Sequence, residues 1–108
     1  MNKYKNIPIT IDGIRFDSKK EGIRYYELRM LEKAGEIANL EMQVPFELIP
    51  AQKNSLGKTV RPLKYIADFV YIENGKKIVE DVKGVKTREF EIKRKLMLHI
   101  HGIDIRIV

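Results

Sequence analysis

Asp68, Asp81 and Lys83 are the residues of this chain whose types and spacing suit hydrolytic chemistry. They lie within Tyr65 to Lys83, YIADFVYIENGKKIVEDVK, which reads as a β-hairpin turning at Asn74-Gly75, because a type I′ turn needs φ > 0 at both central positions. With Glu73 opposite Lys76, the register sets Val70 against Val79 and Asp68 against Asp81. The two carboxylates then interrupt an apolar stripe and face each other across roughly 5 Å of Cβ separation. Like charges so placed on a half-buried face are destabilising, and a bound cation removes the conflict. Oxygen donors at that spacing suit Mg²⁺ or Mn²⁺. Lys83, two residues beyond Asp81, points the same way. Taken singly, each acid reads better as a solvated strand residue; the three together mark a site. A β-bulge here would shift the register and leave the cluster intact.

The elements that must position this cluster follow from the rest of the chain. Ile7, Ile9 and Ile11 alternate up to Asp12-Gly13, and Ile14 and Phe16 resume, which predicts an N-terminal β-hairpin. Ser18 opens a helix to about Ala34, with Ser18-Lys19-Lys20-Glu21 matching a capping box and Gly35 at its end. Glu21 therefore reads either as the capping carboxylate or as an acid aimed at the site. Tyr26, Met30, Ile23, Ala34 and Leu31 form the apolar arc expected to face the core, and Glu27 falls inside it, calling for an ion pair, a metal or a more open face. Gln43 to Pro50 reads as a strand that Pro45 confines to an edge or to its first residues. Ala51 to Pro62 reads as a functional loop. Beyond the central hairpin, Thr87 caps a helix reaching about His101 and closed by Gly102, and Ile103, Ile105 and Ile107 make a last strand. On that helix Phe90, Met97, Ile100, Leu96 and Ile92 form the apolar arc. Lys93 sits within it, either paired with Glu89 one turn earlier or aimed at the site. His99 and His101 suit the helix C-terminus better than catalysis.

With 108 residues the chain is expected to be a single domain, 1–108. The absence of cysteine removes disulfides, thiol nucleophiles and thiolate metal sites. No apolar run is long enough to span a membrane and Met1 to Pro8 is polar, so an intracellular protein is expected, in a bacterium or a bacterial host. Lys and Arg total 21 against 15 acidic residues, a net +6. The excess is concentrated: Lys53, Lys58, Arg61 and Lys64 occur with no acid between Ala51 and Lys64, and Lys83, Lys86, Arg88, Lys93, Arg94 and Lys95 outnumber Glu89 and Glu91. Basic stretches beside an acidic cluster are the footprint expected of a polyanion partner.

A helix opening S-x-x-E, a strand bearing Asp, a strand bearing D-x-K, then a helix and a last strand resembles the PD-(D/E)XK nuclease superfamily, here with Ala67 at the position of the motif proline. SKKEGIRYYELRML, LEMQVPFELIP, YIADFVY, EDVKG and TREFEIKRKL are similar to small phage-encoded Holliday-junction-resolvase-like endonucleases, and the likeness covers most of the chain. The resemblance implies a restriction-endonuclease-like α/β (α+β) core, a central mixed β-sheet flanked by helices in the order β-hairpin, α, β, β-hairpin, α, β. It implies that Glu21, Asp68 and Asp81, with the backbone at Val82, hold Mg²⁺ or Mn²⁺, with Glu27 a possible addition. Lys83 would attend the attacking water. Lys53, Lys58, Arg61, Lys86, Arg88 and Lys93 would contact DNA, branched in form, and a homodimer would supply two active sites. Val60, Leu63 and Tyr65 would contribute to the dimer surface unless they pack in the core. A nickase or flap nuclease of phage replication, or a catalytically silent nucleic-acid-binding module, is the alternative. Glu80, a second acid beside Asp81, faces away in this register.

Overall fold

The computed structural model describes residues 7–82 and 86–108. The first hairpin forms as its sequence dictates: β1 (Ile9–Ile11) pairs antiparallel with β2 (Ile14–Phe16), with Asp12 and Gly13 at φ 54° and 75° in the turn. Helix α1 (Lys19–Lys33) follows, its Ser18 side chain accepting the Glu21 N–H, and Gly35 at φ 79° ends it. The hairpin lies close under α1 because Gly22 has no side chain. A Cβ there would stand 2.5 Å from Ile9 Cγ2.

The central sheet contains β3 (Ala38–Ile49), β6 (Leu63–Glu73), β7 (Lys76–Asp81) and β8 (Arg106–Ile107), in the order β3-β6-β7-β8; a separate small ribbon joins β4 (Gln52–Lys53) to β5 (Thr59–Val60). β3, β6 and β7 run antiparallel in turn and β8 runs parallel to β7, so the sheet is mixed. β3 starts five residues before the expected strand and is an edge strand, where Pro45 leaves no inner ladder bond unmade. The expected loop after it is the β4–β5 ribbon. Helix α2 (Arg88–His101) carries the Thr87 cap, donated to by Phe90 N–H, and the left-handed Gly102. Of the expected last strand, only Arg106 and Ile107 join the sheet, although Ile105 is buried.

Each sheet face has its own core. On one side α2 supplies Phe90 and Met97 against Phe46, Leu48, Tyr65, Ala67, Val70, Val79 and Ile105; on the other α1 supplies Tyr25 and Leu28 against Phe16, Ile37, Phe69 and Tyr71. Alternate residues of a strand normally share a face, yet Ala67 packs with the α2 core and Phe69 with the α1 core. Val44 and Met42 divide the same way on β3. Both strands therefore exchange faces between these residues, at Gln43 and Asp68, where Gln43 adopts φ 52°.

Helix α1 does not face the way its apolar arc suggests. Ile23, Tyr26, Met30 and Leu31 are exposed, whereas Gly22, Tyr25 and Leu28 are buried. The inner face is chosen by close approach at Gly22 and by polar bonds. Arg24 forks onto Glu80 at 2.7 and 2.8 Å, and Arg29 and Leu40 N–H bind the two oxygens of Glu32 at 2.6 and 2.9 Å. On α2, Phe90 and Met97 are buried as expected, while Ile92 and Ile100 of the same arc are about half exposed.

Candidate active site

The Asn74-Gly75 turn sets the β6–β7 register as read from the sequence, from Glu73 opposite Lys76 through Val70 opposite Val79 to Phe69 opposite Glu80. Asp68 and Asp81 come next, and here the ladder gives way to side-chain bonding. Val82 N–H donates to Asp68 Oδ2 at 2.8 Å, and this is how Val82 enters the cluster. Asp81 lies beside Asp68, near enough for its carboxylate to disfavour ionisation of Asp68. Asp81, 2 % exposed, also accepts the Tyr65 hydroxyl.

Glu21 reaches the cluster from the first turn of α1. Gln43 Nε2 lies 3.2 Å from Glu21 Oε1 and 3.5 Å from Asp68 Oδ1, donating to both and bridging helix to strand. The two readings of Glu21 thus coexist: its backbone N–H completes the Ser18 cap while its carboxylate turns toward Asp68. Gln43 and Tyr65 are the members that sequence reasoning missed. Tyr65 reads as an apolar strand residue, and the only sign of Gln43 is its place in the LEMQ stretch.

The electrostatics favour a proton held between the acids. Burial, then the neighbouring Asp81 carboxylate, push Asp68 up to about 7, with Glu21 adding to the rise and the Val82 N–H opposing it. Burial and the bond to Asp81 also raise the Tyr65 phenol, which stays a proton donor.

A hard divalent cation fits this chemistry. The donors are carboxylate oxygens, and two of them repel strongly enough to retain a proton near neutral pH, a repulsion that a cation would replace with attraction. Asp68 and Asp81 are already assembled; Glu21 is joined to them through Gln43. Among the described residues, no group of three or more His, Asp or Glu stands arranged as a complete metal cage.

The remaining expected residues divide clearly. Lys83 lies outside the described residues. Lys53, Lys58 and Arg61 are exposed on and beside the β4–β5 ribbon, and Lys86 and Arg88 are exposed at the start of α2. Lys93 is half-buried and bonds Glu89 at 3.3 Å, the paired reading of that residue. Glu27 is exposed on α1, 3.9 Å from Arg24, and lines one cavity with Lys19, Lys20, Arg24 and Val82. Tyr65 is buried and Leu63 packs against the α2 core, so of the three apolar residues considered for a dimer surface only Val60 is exposed. His101 Nε2 bonds the Glu47 carbonyl at 2.7 Å, tying the end of α2 to β3.

Glu80 is fully buried on the α1 face, away from Asp81, and is held by Arg24 and by the Tyr71 hydroxyl at 2.6 Å. Arg106 continues this network to Tyr71 and Glu73 at 3.1 and 3.2 Å. Burial and the bond to Glu80 push the Tyr71 phenol up to about 12. This second acid is structural.

No helix among the described residues is long and apolar enough to cross a membrane. No curated protein matches the chain. A family model described as "Protein of unknown function (DUF1064)" matches residues 1–107, nearly the whole sequence that builds both cores and the acidic cluster, and the chain belongs to that family.

Proposed function

We propose that this chain is a metal-dependent endodeoxyribonuclease that hydrolyses phosphodiester bonds in branched DNA, in the manner of a Holliday junction resolvase, inside a bacterial cell. The observation that carries the reading is the Asp68–Asp81 pair, a half-buried acid beside a buried one, with Glu21 joined through Gln43, on a chain of net charge +6. Asp68, Asp81 and Glu21 would hold Mg²⁺ or Mn²⁺. When bound, the cation supplies hydroxide near neutral pH and offsets charge on the phosphate. Gln43 orients Glu21 and Asp68 toward each other, Tyr65 fixes the Asp81 carboxylate, and Lys83 would attend the attacking water. Lys53, Lys58, Arg61, Lys86 and Arg88 contribute the backbone-binding charge.

Resolution of a junction needs two nicks on opposing strands. A homodimer is part of the proposal because a C₂ pair matches the symmetry of the junction. A second reading, a nucleic-acid-binding module without activity, draws on the incomplete metal cage among the described residues.

Cleavage of four-way, flap, single-stranded and linear duplex DNA, with and without Mg²⁺, decides between them. Metal-dependent paired nicks on the four-way substrate, lost in Asp68→Asn and Asp81→Asn while both variants stay folded, are the expected result. Undiminished cleavage by either variant overturns the site. Binding without cleavage under any divalent cation leaves the module reading, and light scattering reports the dimer.

A further inference from the structure

The β4–β5 ribbon continues the β3–β6 pairing outward. Ile49 is opposite Leu63, and Gln52 opposite Val60 and Lys53 opposite Thr59 keep the same register beyond it. Pro50 and Pro62, which lack an N–H, separate the ribbon from the sheet without redirecting it. The result is an arm protruding from one end of the sheet.

The tip of the arm is held firmly. Asn54 Oδ1 accepts from Leu56 N and Lys58 N at 2.9 and 3.0 Å, Asn54 N donates to the Lys58 carbonyl at 2.9 Å, and Gly57 takes φ 73°. Lys53 Nζ donates to Thr59 Oγ1 at 2.7 Å across the ribbon. What this turn presents is Leu56, 78 % exposed, the most exposed large apolar side chain among the described residues. Lys53 and Lys58 flank the turn and Arg61 and Lys64 follow toward the sheet, all exposed, and none is paired with a carboxylate among the described residues.

A rigid turn with an apolar tip is poorly suited to bare solvent. Cations along its sides give that tip an anionic partner, and a two-stranded ribbon fits a DNA groove. Apolar side chains wedged between base steps unstack and kink the duplex, most easily where stacking is already broken. We propose that the ribbon is a DNA-gripping arm and that Leu56 inserts between base steps at a branch or bend. Twelve residue steps lead from Leu56 to Asp68, which at no more than about 3.4 Å each bounds the reach at about 40 Å, on the order of one turn of duplex. The proposal rests on the nucleic-acid partner proposed above and not on hydrolysis.

The test uses 2-aminopurine placed beside the crossover of a four-way junction and, separately, within a linear duplex, titrated with the full chain in EDTA so that no strand is cut. Wild-type protein is expected to raise the junction probe's fluorescence. Leu56→Ser is expected to abolish the rise and lower the preference for junction over linear duplex by about tenfold, while Leu56→Met retains both. The Leu56 side chain is exposed, so folding is not at stake. An equal rise with Leu56→Ser, or junction binding with no rise in wild type, overturns the insertion. A fluorescence rise without metal-dependent cleavage keeps the arm and removes the nuclease. Sedimentation with phosphatidylserine vesicles in place of any DNA binding would assign the arm to a membrane surface and overturn it.

Discussion

Glu80 and Asp81 are neighbours on β7, both almost wholly buried, on opposite faces of the sheet and in opposite electrostatic settings. Glu80 meets a guanidinium in a two-point bond, whereas Asp81 meets a phenol and a second acid. Removing Arg24 strands a buried charge. Arg24→Met is therefore expected to lose about 3–5 kcal/mol in urea denaturation, and Arg24→Met with Glu80→Leu is expected to recover most of it. Asp81→Asn should hold or gain stability without metal, since it relieves a repulsion.

A pH dependence follows from Asp68. In an unfolded chain an Asp ionises at about 3.9; in the fold, burial and Asp81 hold its proton up to about 7. Between those values the folded chain keeps a proton that the unfolded chain has released, so this group's contribution to stability falls as pH rises, and is level outside that window. Thermal melts in EDTA from pH 4 to 8 should show a decline that Asp68→Asn flattens. An identical profile in the variant would remove the proton from this site.

Metal should act against the same proton. Mg²⁺ at 100 times its Kd should stabilise the fold by about 2.7 kcal/mol through mass action, with weaker apparent binding at pH 5.5 than at pH 8 because cation and proton compete. Calorimetric titration at the two pH values measures this. Heat of binding surviving in a chain carrying both Asp68→Asn and Asp81→Asn would place the ion elsewhere.

Lys83→Ala is expected to lose turnover far more than DNA affinity, because under the nuclease activity proposed above that lysine would attend the attacking water. Changing Lys53, Lys58 and Arg61 to Ala together should leave the chemistry of bound substrate alone. It should lower the slope of log affinity against log salt by up to about 0.9 for each phosphate that is no longer neutralised. Single-turnover rates and salt-series isotherms separate the two effects.

The turns and caps were legible in the sequence because local chemistry decides them. Asn74-Gly75 set the register that brings Asp68 to Asp81, and Ser18, Thr87 and Gly102 marked helix ends that the structure keeps. The facing of α1 was not legible, because the most apolar residues are not the ones buried. Gly22 contributes closeness and Arg24 a bond to Glu80, and neither registers as hydrophobicity. The β4–β5 ribbon was concealed by strands of two residues, too short for alternation to show. The place of Gln43 was concealed for another reason: left-handed backbone at a glutamine inside a strand has no local signature.

The exchange of faces at Gln43 and Asp68 makes the sheet permeable to chemistry at that one point. A pleated sheet is ordinarily a partition, with acids on its two sides kept apart by the backbone. Here Glu21 belongs to the helix on one side and Asp81 to the side of the Tyr65 core; Gln43 joins the first to Asp68 and the second lies beside it. The site is therefore a joint between two independently packed halves. A small shift of either helix alters the separation of the acids, so substitutions remote from the carboxylates, in either core, can retune how tightly Asp68 holds its proton.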